Sequence, residues 1–254
     1  MIIPWYEAAG DPEAPALVLS SSLGTTTAMW DAVVPALAEH YWVIRYDHRG
    51  HGRSPVPAGP YRLDDLGGDV LGLLDHLGLD RVRFAGLSLG GMTGMWLAAH
   101  APERVSSLAL LCTSARLGPP ETWTDRIATV LSDGTAAIAD AALGRWFTPE
   151  FRERRPDVAE TYRAMLAAQP ADGYAACCAA IREMDLTGDL RSITAPTLVI
   201  SGEEDPVTPP SHGLAIAGRV PGAEMVTVPG ASHLAAVERP DEVRAHLLDH
   251  FGKD

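Results

Sequence analysis

The chain of 254 residues predicts an α/β protein: a mostly parallel, twisted sheet with helices on both faces and one helical insertion. Three observations carry this. Up to Cys112, short apolar runs alternate with segments of helical spacing, the rhythm of a parallel sheet covered on both sides. From Ser114 to Arg191 helical segments continue without a convincing strand. At Thr197 the strands resume. The predicted organisation is a core of residues 1–114 and 193–254, with 115–192 forming a helical lid over the C-terminal edge of the sheet.

In chain order, Ile2–Ala8 and Ala16–Ser21 read as strands separated by the turn-rich Gly10–Pro15. The polar loop Ser20–Thr25 leads to an amphipathic helix over Met29–Glu39. Tyr41–Tyr46 is a strand, and Asp47–Ser54 is a glycine-rich turn. Asp65–Gly78 has helical spacing, with Leu66, Val70, Leu73, Leu74 and Leu77 on one face. Val82–Ala85 and Val105–Cys112 are strands flanking a helix that opens after Ser88. The lid segment carries Trp123, Trp146, Phe147, Tyr162 and Tyr174. Thr197–Ser201 and Ala223–Val228 are the last strands, and Glu238–Phe251 is the last helix.

Composition narrows the function. The net charge of −13 argues against nucleic acid or an anionic membrane as partner. It also repels an anionic substrate, so such a substrate needs a local arginine. No apolar run is long enough for a transmembrane helix, and the N-terminus lacks the pattern of a signal peptide. The expected location is cytoplasmic. Cys112, Cys177 and Cys178 show no C-x-x-C spacing and are read as buried or bystander thiols. His48 and His51 are spaced for a metal, but no third ligand is near in the sequence, and no metal site is expected.

The chemistry centres on Gly86-Leu87-Ser88-Leu89-Gly90. A strand, a serine between glycines and a helix make a G-x-S-x-G turn that presents a nucleophile. A serine hydroxyl is weak until a base takes its proton, and the base needs an orienting acid. Past the insertion, Asp205 sits just beyond a strand end, in a loop restrained by Pro206 and Pro209. Glu203 and Glu204 are its competitors, closer to the strand and expected in solvent. His233 also follows a strand end and completes the order serine, acid, histidine. His40, His76, His100, His246 and His250 fall on predicted helices and are expected at the surface. The helix after Ser88 aims N–H groups at a developing oxyanion.

These residues resemble the α/β-hydrolase fold over essentially the whole chain. The serine turn, Asp-x-Arg-Gly-x-Gly-x-Ser at Asp47–Ser54, Gly-x-x-Asp at Gly202–Asp205 and the late histidine all match. One departure narrows the resemblance. Most relatives carry His-Gly where this chain has Ser21-Ser22. The loop Ser22-Leu23-Gly24-Thr25 followed by Met29-Trp30-Asp31 is similar to the 3-oxoadipate enol-lactonases. So are Gly86–Ala98, Arg145–Thr148, Gly173-Tyr174 and Cys178.

The resemblance implies hydrolysis of the enol-lactone of 3-oxoadipate in aromatic catabolism, the β-ketoadipate pathway, with no cofactor. The oxyanion hole would use the N–H groups of Leu23 and Leu89. The substrate is a small anionic lactone, and its carboxylate needs a cation. Arg145, beside Trp146, is the first candidate, and Arg126 the next. Trp123, Trp146 and Ser22 are expected to line the pocket, and Arg152, Arg154 and Arg155 to form a solvated face. The same triad serves other serine esterases and biosynthetic lactonases, and cofactor-free perhydrolases or haloperoxidases. A pure ligand-binding receptor on this scaffold has no need of it.

Overall fold

The computed structural model describes residues 1–253. Seven strands form one sheet in the order β1-β3-β2-β4-β5-β6-β7. They are β1 (Tyr6–Ala9), β2 (Ala16–Ser20), β3 (Trp42–Tyr46), β4 (Val82–Leu87), β5 (Val105–Leu111), β6 (Thr197–Gly202) and β7 (Glu224–Val228). Only β1, at one edge, is antiparallel to its neighbour. The helices are α1 (Val34–Leu37), α2 (Leu63–Leu77), α3 (Leu89–His100), α4 (Pro120–Asp133), α5 (Ala139–Trp146), α6 (Pro149–Arg154), α7 (Pro156–Ala167), α8 (Ala171–Glu183), α9 (Pro210–Ala217), α10 (Ala235–Glu238) and α11 (Pro240–Phe251).

The central strands explain why the sequence showed continuous apolar runs there. Every residue of β2 and of β6 is buried, because helices cover both faces. Strand β7, at the other edge, is only partly buried. Helix α2 turns Leu66, Val70, Leu73 and Leu74 inward, and Gly78 ends it in the left-handed conformation. Helices α4 to α8 all lie between β5 and β6 in the chain, with no strand among them. Among the described residues no helix is long and apolar enough to cross a membrane.

Four expectations are corrected. The first strand is Tyr6–Ala9, not Ile2–Ala8: Ile2 N–H donates to Asp69, and Trp5 bonds to Ser54 and Asp47. The helix expected over Met29–Glu39 is split into a 3-10 turn at Thr27–Trp30 and the short α1. Pro35 has no N–H to donate back to Asp31, so a continuous helix would be broken there. The final helix, expected from Glu238, starts at Pro240 instead, and Glu238 ends the separate short α10. His250, expected at the surface, is buried, and its Nε2 lies 3.0 Å from both Ser107 Oγ and Leu108 O.

Candidate active site

Ser88 sits between β4 and α3 at φ 57°, ψ −113°, a conformation that L side chains rarely adopt. Such strain persists only where the surroundings enforce it. Here Ser88 N–H donates to Leu111 O at 2.9 Å, and Ser88 O accepts from Thr113 Oγ1 at 2.7 Å. The glycines beside it are required by space. A Cβ on Gly86 would lie 2.1 Å from Gly90 O, and one on Gly90 would lie 2.1 Å from Ser20 O. The turn can therefore be this tight only with glycine at both places.

Asp205 and His233 lie in loops after β6 and β7, and both are buried. His233 Nδ1 and Asp205 Oδ2 are 2.9 Å apart. Asp205 also accepts from the N–H groups of Val207 and Thr208 and from the Thr208 hydroxyl. Burial pushes the Asp205 carboxyl up, but the charge and hydrogen bond of His233 and the Thr208 donors outweigh it and bring it to about 2. Glu203 and Glu204 are exposed, as expected. Ser88 and His233 line one cavity with Ser22, Leu23, Trp123, Arg126, Arg145, Trp146 and Tyr174, so every residue predicted for the site except Asp205 and Leu89 is on its wall. The free space inside is about 30 Å³.

Leu23 N–H and Leu89 N–H have no acceptor within the protein among the described residues. Leu89 is the first residue of α3, where a helix leaves its N–H groups unpaired. The Ser22–Thr25 loop is held from below. Ser22 O accepts from Thr25 N–H and Oγ1, and Gly24 N–H donates to His51 Nε2 at 2.9 Å. Ser21 O accepts from Gly90 N–H and lies 3.0 Å from His48 Nε2. Burial holds both imidazoles neutral, His48 near 3 and His51 near 4, so His51 keeps the free lone pair that Gly24 needs. Asp47, in the same turn, accepts from Thr27 and Arg53 N–H, and Arg49 forms a buried two-bond pair with Asp69. Sequence reasoning gave these histidines no task. The signal was their place in the glycine-rich turn after β3, beside the loop after β2.

The wall contributed by α4, α5 and α8 is different. Arg145 is half-buried, and Arg126 lies over the Trp123 ring at 4.8 Å. Burial and the charge of Arg126 both lower the Arg145 pKa. The buried Tyr174 phenol faces Arg126. Among the described residues no acidic side chain lines the cavity, and neither arginine has an ion pair. The expected solvated face is borne out for Arg154 and Arg155, which are exposed and pair with Glu150 and Asp157. Arg152 departs from it: it is only part-exposed, and its Nε is buried without a partner.

A serine on a strained strand-to-helix turn, at the C-terminal end of the central strand of a parallel sheet and beside an Asp–His pair, defines a hydrolase of the α/β type. The family described as alpha/beta hydrolase fold matches residues 15–240, and the chain belongs to it. It is 42% identical over 92% of its length, and 88% of the relative's, to 3-oxoadipate enol-lactonase 2 of Acinetobacter baylyi. The crystal structure of the enol-lactonase from Burkholderia xenovorans superposes with a TM-score of 0.96 at 42% identity, covering 98% of this chain and 96% of that one. A hydrolase from Pseudomonas aeruginosa superposes at 0.94 with 50% identity, covering 97% and 93%. The chain is thus an enol-lactonase-like hydrolase.

Proposed function

We propose that the chain opens the ester bond of 3-oxoadipate enol-lactone to give 3-oxoadipate, as a cytoplasmic step of aromatic catabolism in the β-ketoadipate pathway. The observation that carries this is the pair of arginines, Arg126 and Arg145, lining the serine cavity, where no acid is found among the described residues. In a chain of net charge −13, two such cations favour an anionic substrate. The names of the relatives point the same way.

His233 takes the Ser88 proton, and Oγ attacks the lactone carbonyl. The N–H groups of Leu23 and Leu89 hold the oxyanion, each worth about 3 kcal/mol in the barrier. Collapse expels the ring oxygen as an enolate, a better leaving group than an alkoxide, so it needs little acid help. The enolate takes that proton from His233, which leaves the imidazole neutral again, and the enol ketonises. Water, deprotonated by His233, then attacks the acyl-enzyme and frees Ser88. Asp205 keeps the imidazole in the tautomer that accepts on Nε2. Arg145 binds the free carboxylate, with Arg126 as the second cation, while Trp123, Trp146 and Ser22 shape the pocket.

The test follows the loss of ultraviolet absorbance of the enol-lactone with wild type and Ser88→Ala. Fast turnover that falls by about 10⁶ in kcat on substitution supports the reading. Absence of turnover, beside Ser88-dependent cleavage of a neutral aryl ester, would remove the lactone and leave the serine hydrolase.

A further inference from the structure

One buried carboxylate outside the reacting groups joins two parts of the site. Glu238 ends α10 and is 4% exposed. Its Oε2 accepts the N–H of Ser232, the residue before His233, at 2.8 Å. Its Oε1 accepts the Thr148 N–H at 3.0 Å and, in a shorter contact, the Thr148 hydroxyl. Thr148 follows α5, which carries Arg145 and Trp146, and it caps α6.

Two more bonds run between the same segments. Ser232 Oγ donates to Arg145 O at 2.9 Å, and Leu234 N–H donates to Trp146 O at 3.0 Å. Both neighbours of His233 are therefore tied to the stretch of lid that bears Arg145. Burying a charge is costly, and packing alone would be served as well by an apolar side chain. A carboxylate, however, offers acceptors on both oxygens and no donor, which suits two segments that each present an N–H.

We propose that Glu238 is a positioning residue that holds the His233 loop and the Arg145 segment of the lid in one register. The proposal rests on Ser88 and His233 acting as nucleophile and base. Glutamine at 238 keeps the length but turns an NH₂ group toward either Ser232 or Thr148, so one end of the bridge opens. Thr148→Val removes the hydroxyl on the lid side, and with it the cap of α6, but leaves the Thr148 N–H on Glu238.

The experiment compares wild type, Glu238→Gln and Thr148→Val, with Ser88→Ala as the blank. It reads the rate at which a fluorophosphonate labels Ser88, and kcat and KM for the enol-lactone. The label needs the nucleophile and base but no anion site. For Glu238→Gln, labelling slows at least tenfold and kcat falls by a similar factor. For Thr148→Val, KM rises about threefold while labelling slows less than twofold, a split that a general loss of folded protein would not produce.

Labelling of Glu238→Gln at the wild-type rate overturns the proposal. If that variant does not fold, Thr148→Val decides: KM and labelling changed in equal proportion, or neither changed, overturns it. A wild type that is not labelled at Ser88 removes the nucleophile and the bridge together. A labelled wild type with an unaffected Glu238→Gln removes the bridge alone.

Discussion

The C-terminal end of the sheet and the helical insertion α4 to α8 treat charge in opposite ways. At the sheet end, Asp205 has three donors besides His233, Asp47 has two N–H donors, and Arg49 is matched to Asp69. On the wall formed by the insertion two arginines face the cavity, and among the described residues no acid lines it. The contrast is what the proposed division of roles predicts. Groups that perform a reaction must be held in one geometry, so their bonds are completed by the protein. Groups that choose a substrate leave a charge for the substrate to complete.

If that division holds, changes at the sheet end alter turnover of every ester, and changes on the insertion alter only anionic ones. The largest effect is expected for Asp205→Asn, with kcat down about 10⁴ for the lactone and a neutral aryl ester alike, because the imidazole takes the wrong tautomer. The same variant has a pH signature. The depressed Asp205 carboxyl contributes stability that is complete above its unfolded value near 4 and is lost as pH falls through its folded value of about 2. The gap in Tm between wild type and Asp205→Asn should reflect about 2 kcal/mol near neutrality and narrow below pH 4. A gap that is constant with pH would show that the carboxylate charge is not what stabilises the loop.

Next in size is Arg145→Ala, expected to raise KM for the anionic lactone about 10²-fold and leave a neutral ester unchanged. Equal effects on both substrates would erase the distinction between insertion and sheet end. Smallest is His51→Ala, which strands the Gly24 N–H beneath the oxyanion loop. A buried donor left unpaired costs roughly 1–3 kcal/mol, and about a tenfold fall in kcat for both substrates follows. Steady-state kinetics on the two substrates measures both.

Most of this division was legible in the residues. The serine turn could be read because its glycines are demanded by backbone contacts near 2.1 Å, which leave no other residue type. Asp205 and His233 could be read because each follows a parallel strand, where loops gather at the site. What escaped depended on contacts between distant segments. His250 lies on a helical face that looks polar in sequence, yet α11 packs that position against Ser107 of β5, 143 residues away. His48 and His51 were given no task by the sequence, and only the fold shows them under the Ser21–Gly24 loop. Glu238 reads as an ordinary helix acid until Thr148, 90 residues earlier, is brought to it.

The free space of about 30 Å³ beside Ser88 has a kinetic consequence. It holds one or two water molecules and not a five-membered lactone ring with its carboxymethyl arm. A lactone therefore cannot diffuse into a standing vacancy. Side chains of the wall, or whole turns behind them, have to step aside first, and excursions of that kind run on microsecond to millisecond timescales. Where that yielding limits turnover, kcat slows as glycerol or sucrose thickens the solvent even though the bond-breaking step is untouched, and a kcat independent of viscosity would show that it does not limit.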